Sequence, residues 1–403
     1  MIAIRSIFRQ FHGIINMKKF QISLIDPKGR NSNIELLKIL AMYLIVTCHV
    51  VAELPNNTYV KYDDYVLQYF VPSKNSANLV LTIIHQLGFL GNTIFFTCSA
   101  WFLCCSERVN YRKVVSLVLD IELVSVLYLM FGVLITRGNV DFTLGVKMLF
   151  PHTFRLFWYL TCYIIIYLIH PVLNVVISLL PQRNLLAFVA VSSLTFICLN
   201  YFSQWYFGSV IISWLVLYFV VAYLRLYMPD FQQNVKRNFV MLLIGCMGIV
   251  AVPIIINILG MNIEKFNQLS MQKFDDISRW NPFHIMVSLS CLNLVRQLKP
   301  RYNTLINYFA SLSLLCFLVH SNRIMRCYFI PYIWEEIYVH GFYDRIVLVS
   351  LLFGSAYFIT SMVMSVIYNI TFQRITEYIV PKIRGGGKRA FECLIDVLLG
   401  ILK

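Results

Sequence analysis

Long apolar stretches, separated by short polar segments, run through most of the chain. A helix that crosses a lipid bilayer needs about 20 predominantly apolar residues, and ten stretches reach or approach that length. They lie at 34–53, 78–104, 114–136, 157–181, 185–202, 209–227, 239–260, 281–295, 304–322 and 345–371. The pattern predicts an all-α protein, a polytopic transmembrane helical bundle of about ten helices.

Composition supports a chain whose main solvent is lipid. Hydrophobic residues make up 59% of the sequence and charged residues 13%, whereas about a quarter of the residues in a typical soluble domain are charged. No polar stretch between the apolar segments is long enough to build a separate core. We therefore expect one membrane domain at 34–372. A basic cytosolic arm at 1–33 precedes it, and an amphipathic cytosolic tail at 373–403 follows it.

The basic residues are distributed as membrane topology requires. The formal net charge of +15 would suggest nucleic acid as the partner of a soluble protein, but here Lys and Arg occupy short loops between apolar runs. If the N-terminus is cytosolic, the inner loops carry about twice as many of them as the outer loops. This distribution predicts that both termini are cytosolic and that the chain has no nucleic-acid partner.

The first apolar stretch, NIELLKILAMYLIVTCHV, carries three ionisable residues, Glu35, Lys38 and His49. Such residues are costly in a membrane, so each is a functional candidate. Lys38 and His49 are eleven residues apart, which puts them on one helix face about 16 Å from each other. Glu35 precedes Lys38 by three residues and can pair with it. Two alternatives stay open: Lys38 could extend its amine to the interface, and His49 could hydrogen-bond a neighbouring helix.

A second histidine, His320, ends the ninth stretch and is expected near the outer surface, so it could share a site with His49. Isolated histidines such as His85 are expected to pack or hydrogen-bond. Trp158, Tyr159 and Trp334 are expected to anchor the chain at the membrane interface. The cysteines show no paired spacing, and the one adjacent pair has no second pair and no histidine nearby, so no metal is predicted.

Several segments resemble the acyltransferase 3 family. RNSNIELLKILAMYLIVTCH looks like the family's first helix, which bears a basic residue, ten intervening residues and a histidine; Lys38 stands where Arg is usual. The segment GNTIFFTCSAWFLC resembles the second-span motif. Four further matches are FWYLTCYIIIYLIHPVLN, WLVLYFVVAYLRLY, NPFHI and SLSLLCFLVHSNR. The resemblance covers about residues 30–372.

The resemblance implies an integral membrane enzyme that takes an acyl group, usually acetyl from cytosolic acetyl-CoA, and places it on a hydroxyl of a cell-envelope or exported saccharide, which could be lipid-linked. It implies that His49 is the general base or a transient acyl carrier, that Lys38 assists donor binding, and that Glu35 orients Lys38. The resemblance also implies a multi-pass protein of the cell (inner) membrane. From its expected depth beside His49, we further expect a role for His320 in acceptor binding or proton handling.

The family's basic pair after the second span is loosely matched by Arg108 and Arg112, which become candidate substrate-binding residues. Two other readings stay open. One is a transporter, a flippase for polysaccharide or lipid-linked sugar, although broken helices at matching positions in two halves are not visible. The other is a catalytically inactive family member, because Lys38 lacks the planar guanidinium fork of arginine. No oligomeric state or acceptor sugar is predicted.

Overall fold

The computed structural model describes residues 30–54, 74, 76–202, 210–264 and 281–372, and throughout these ranges the regular structure is helical, as predicted. The α-helices are α1 (Ser32–Ala52), α2 (Ser76–Leu103), α3 (Tyr111–Ile135), α4 (Phe142–Leu149), α5 (Trp158–Leu179), α6 (Gln182–Phe202), α7 (Val210–Tyr227), α8 (Pro229–Gln233), α9 (Val235–Asn262), α10 (Pro282–Gln297), α11 (Thr304–Ser311), α12 (Ser313–His320), α13 (Ile330–Val339) and α14 (Ile346–Thr371). A π-helical turn, Met325–Phe329, precedes α13, and a 3₁₀ turn, Phe342–Arg345, precedes α14.

The apolar helices make this a multi-pass membrane protein. Six of them, α1, α2, α3, α5, α9 and α14, are long and apolar enough to cross a bilayer, and two shorter apolar helices occupy Gln182–Cys198 and Ile211–Tyr227. Each of the ten predicted stretches overlaps a helix, but the ninth is divided at Leu312 into α11 and α12. The count of ten spans and the cytosolic termini stay predictions. Nearly all of the predicted arm and the whole of the predicted tail lie outside the described residues.

Helix α1 lies at the centre of the packing. It packs along α2 and also against α10, α11, α12 and α14. Its first turn is capped by Asn31, whose side chain accepts a hydrogen bond from the backbone N–H of Asn33. Because neighbouring helices surround α1, its side chains such as Ala41 and Val46 have no exposed surface. The residues of α1 therefore face protein on most sides.

Glycines on α2 let α1 approach very closely. A Cβ atom added at Gly88 would lie 2.2 Å from Cβ of Cys48, and one added at Gly91 would lie 2.5 Å from the carbonyl oxygen of Ala41. Small residues allow this kind of helix contact in membrane proteins. Since Gly88 meets Cys48 and Gly91 meets Ala41, the two helices are antiparallel. The contact also holds Cys48, the neighbour of His49, in place.

The close contact makes Gly91→Ala a destabilising substitution. The added methyl would collide with the backbone of α1, which cannot move as a side chain end can, and overpacking of this kind costs about 1–3 kcal/mol. We expect a lower midpoint of thermal unfolding in detergent. Gly145→Ala is the control, since its Cβ would meet only Leu129 at 3.9 Å. Equal midpoints for the two variants would contradict the packing of α1 on α2.

Hydrogen bonds connect the start of α1 to the segment that follows α10. The backbone N–H of Ser32 donates to the carbonyl of Arg301 at 2.9 Å. The Ser32 hydroxyl donates to Oδ1 of Asn307 at 2.9 Å and accepts from the N–H of Asn303 at 2.7 Å. The first turn of α1 and the C-terminal end of α10 therefore lie at the same end of the bundle, which we call the Lys38 end; the opposite end of α1 is the His49 end.

Candidate active site

At the Lys38 end, Glu35 and Lys38 form an ion pair within the first two turns of α1. The Lys38 amine lies 3.1 Å from Oε1 and 3.2 Å from Oε2 of Glu35. The side chains are 19% exposed for Lys38 and 7% for Glu35. The spacing of three residues predicts this contact. Each charge compensates the other in a place where neither is fully hydrated.

At the His49 end, the imidazole rings of His49 and His320 lie side by side. Their centroids are 5.0 Å apart and their planes are inclined by 34°. Nδ1 of His320 lies 2.7 Å from the carbonyl oxygen of Cys316, one turn earlier in α12. A ring nitrogen next to a carbonyl must carry the proton, so Nε2 of His320 is left with a lone pair. Within the described part of the chain, neither this Nε2 nor Nδ1 of His49 has a hydrogen-bond partner.

Aromatic rings continue from the histidine pair into the bundle. Phe317 lies 5.5 Å from His320, and Tyr159 lies 5.5 Å from Phe317. Trp214 of α7 lies 5.7 Å from Tyr159, with the two ring planes perpendicular. We call His49, His320, Phe317, Tyr159 and Trp214 the histidine pocket. Tyr159 is only 2% exposed, so the prediction that it anchors the chain at the interface is wrong.

Four buried polar atoms of the histidine pocket lack a hydrogen-bond partner among the described residues. Besides the two imidazole nitrogens, the Tyr159 hydroxyl and the Trp214 indole nitrogen are buried without a hydrogen bond to any described residue. Buried polar atoms nearly always form hydrogen bonds in folded proteins, so a group of such atoms without hydrogen bonds needs an explanation. Water or a polar ligand between the helices would supply the missing partners. The four atoms come from α1, α5, α7 and α12.

Charged groups close the His49 end. Nε of Arg326, in the π-helical turn, donates to Oε1 of Glu53 at 2.6 Å, and the Arg326 charge acts on His49. The indole N–H of Trp334 donates to the carbonyl of Val50 at 3.0 Å. Trp334 is 1% exposed, which contradicts its predicted interface role. His85, for which the sequence predicts a packing or hydrogen-bonding role, also lies within electrostatic range of His49.

The candidate residues Arg108 and Arg112 lie apart from these groups. Both are exposed, in the connection between α2 and α3 and the first turn of α3. Their neighbour Lys113 instead donates to the hydroxyl of Tyr163 at 3.1 Å and lies within electrostatic range of Glu35. The structure thus brings Glu35 together with Lys38, and His49 together with His320. It leaves the two predicted arginines without a side-chain bond to any residue of the described ranges.

Tyr159→Phe tests whether the pocket binds a ligand. The change removes a hydroxyl that has no protein partner in the described ranges, so stability should stay the same or rise, since burying an unpaired hydroxyl costs about 1–3 kcal/mol. If a ligand bonds that hydroxyl, enzymatic activity should fall about tenfold. Thermal unfolding and initial rates measured on one preparation give both numbers. A less stable but fully active variant would show that Tyr159 is only a packing residue.

The protein family follows from a comparison with known families. A family model described as an acyltransferase domain, that of the acyltransferase 3 family, matches residues 31–370. The chain belongs to the acyltransferase 3 family. The match spans the whole of α1, the histidine pocket and nearly all of α14, so family membership and the two ionisable sites concern the same helices. Membership supports an acyltransferase.

No curated protein and no solved structure matches the chain. Among the described residues of this acyltransferase, no group of three or more histidine, cysteine or carboxylate side chains could hold a metal ion.

Proposed function

We propose that the protein is an O-acyltransferase that moves an acyl group, acetyl in the simplest case, from a cytosolic acyl-CoA to a hydroxyl of a cell-envelope or exported saccharide. The observation that carries the proposal is the pair of histidines at one end of α1, each with one ring nitrogen that has no hydrogen-bond partner in the described ranges. It is combined with a largely buried ion pair at the other end. A transfer across a membrane domain needs these two things: a base for the acceptor and a charged contact for the donor.

The donor is proposed to enter from the Lys38 end. Eleven residues of α-helix separate Lys38 from His49, which is about 16 Å. A CoA thioester has a charged nucleotide end and a long, flexible pantetheine arm, so its phosphates can stay at the Lys38 end while its carbonyl reaches the histidine pocket. Glu35 holds the Lys38 amine in one position. Less conformational entropy of the Lys38 side chain is therefore lost when the donor binds.

The acceptor hydroxyl is proposed to meet the histidine pair from the opposite side. His49 takes the proton of the hydroxyl as its oxygen attacks the thioester carbonyl, so that a C–O bond forms and the C–S bond breaks. The proton then passes from the imidazole to the departing sulfur, which leaves as free CoA. In this scheme His320 offers its Nε2 lone pair to the acceptor or relays the proton.

Direct labelling tests the proposal. The purified protein in liposomes is supplied with acetyl-CoA labelled in the acetyl group and with envelope glycan from cells that lack the protein. We expect label on the glycan in an ester that mild alkali releases. A transporter would move sugar without attaching label, and an inactive family member would do neither. Either result would refute the proposed transfer reaction.

A further inference from the structure

Two arginines contact a single tryptophan at the Lys38 end. The guanidinium carbon of Arg296, in the last turn of α10, lies 3.8 Å from the ring centroid of Trp101. That of Arg225, near the end of α7, lies 4.9 Å from the same centroid. We call Arg225, Trp101 and Arg296 the arginine clamp. Three helices that are distant in sequence thus bring two positive charges to one indole ring.

No carboxylate forms an ion pair with the arginines of the clamp within the described ranges. Arg296 is only 8% exposed, and its one hydrogen bond there is from Nη1 to the neutral side-chain oxygen of Gln232, at 3.3 Å. A guanidinium has five N–H donors, and burying its charge without an anion is costly. Arg225 beside it adds like-charge repulsion, which contact with an aromatic ring offsets only in part. The arrangement becomes favourable when an anion joins it.

A purely structural role explains Arg225 better than Arg296. Nη1 of Arg225 donates to the carbonyl oxygen of Trp101, one of the last carbonyls of α2, which have no partner inside their own helix. Arg225 therefore stabilises the end of α2 whatever else it does. Arg296 bonds no helix end in the described ranges, so Arg296 is the residue that distinguishes a binding site from a packing contact.

The clamp lies towards the start of α1, on the side of the Lys38 ion pair that faces away from His49. Cys98 is within electrostatic range of Lys38 and Glu35, and Trp101 follows Cys98 by three residues, about 4.5 Å along the helix. Because α2 runs antiparallel to α1, this step leads towards the start of α1. A ligand that extends from the clamp past Lys38 would point to the histidine pocket.

We propose that Arg225 and Arg296 form a phosphate-binding site, and that it holds the phosphate groups of the acyl donor. The assignment to the donor rests on the proposed function. Paired guanidinium forks match the oxygens of a phosphate or diphosphate, and they bind it with several charge-assisted hydrogen bonds. An anionic lipid headgroup offers the same chemistry, so the test must separate these two sources.

Binding measurements on the detergent-purified full chain test the proposal. The probes are coenzyme A, dephospho-coenzyme A and inorganic phosphate, each titrated by calorimetry. The variants are Arg296→Gln and the control Arg237→Gln, which removes an exposed arginine over the ring of Phe231 near the start of α9. We expect Arg296→Gln to weaken coenzyme A binding about tenfold to a hundredfold and the control to bind as wild type. Equal affinity in all three proteins would overturn the proposal.

Lipid is tested separately in nanodiscs of phosphatidylglycerol and of phosphatidylcholine. If phosphatidylglycerol raises the unfolding temperature of wild type but not of Arg296→Gln, while coenzyme A binds both equally, the site belongs to a lipid and the donor assignment is wrong. If Arg296→Gln does not fold, Arg296→Lys replaces it. Lysine keeps the charge but loses the fork, so it should still weaken coenzyme A binding.

Kinetics separate this inference from the proposed function. If the wild type transfers acyl groups, Arg296→Gln should raise the donor KM and leave kcat close to that of wild type. An unchanged KM would then refute the phosphate-binding role of the clamp but not the transfer reaction. If the wild type does not transfer acyl groups but binds coenzyme A in a way that depends on Arg296, the phosphate-binding role of the clamp stands and the transfer reaction is refuted.

Discussion

Replacing His49 with alanine is expected to lower the rate of acyl transfer by about 10² to 10⁴-fold, the usual contribution of a positioned general base. The fold should survive, because Nδ1 of His49 has no hydrogen-bond partner among the described residues that would be left unpaired. The measurement is the initial rate of transfer at matched protein levels, together with the thermal unfolding midpoint. A large loss of rate with little change in the midpoint is the expected combination.

His340→Ala is the matched control. His340 is an exposed histidine whose side chain is 63% accessible, at the end of α13, and it has no place in the proposed mechanism. This variant should transfer at the wild-type rate. If His49→Ala and His340→Ala transfer equally well, His49 is not the base and the paired imidazoles need another explanation.

Lys38→Met is expected to reduce both stability and donor binding. The change leaves the Glu35 carboxylate, whose side chain is 7% exposed, without its partner, and breaking a fully buried ion pair from one side costs about 3–5 kcal/mol. Because Lys38 retains 19% exposure, we expect a loss below that range. Lys38→Arg keeps the charge and should keep most of the activity. Thermal unfolding and the donor KM measure the two effects.

The double variant Glu35→Gln with Lys38→Met separates the two effects. Removing both charges removes the unpaired carboxylate, so stability should recover towards wild type. The loss of stability in the double variant should therefore be smaller than the sum of the losses in the two single variants. Donor binding should stay weak, because the amine is still missing. Recovery of both stability and donor binding would show that Glu35 and Lys38 are only a structural pair.

Hydropathy predicts the long helices, because in lipid a backbone must satisfy its own hydrogen bonds and an apolar run has few alternatives. It could not predict where a helix is interrupted. The ninth apolar stretch is continuous in composition, yet it divides at Leu312. Likewise 330–339, expected in a loop, forms α13, where Trp334 is buried and bonded to the carbonyl of Val50.

The site was predictable where it depends on local spacing. The pairing of Glu35 with Lys38 follows from three residues of helix, and the proximity of His320 to His49 follows from the depth of two spans. Tyr159 and Arg296 were missed because the face that a helical residue presents to its neighbours depends on how several helices pack. In the sequence, Arg296 directly follows the apolar stretch 281–295, a position typical of the Lys and Arg of the loops, although it is buried against Trp101.

The O-acetyl content of the envelope glycan, measured by proton NMR and by acetate release in mild alkali, tests the central claim most directly. Cells expressing wild type, His49→Ala or Lys38→Arg are compared at equal protein levels. The account predicts O-acetyl groups with wild type and with Lys38→Arg, and none above background with His49→Ala. An unchanged glycan in every strain, or full O-acetylation with His49→Ala, would contradict it.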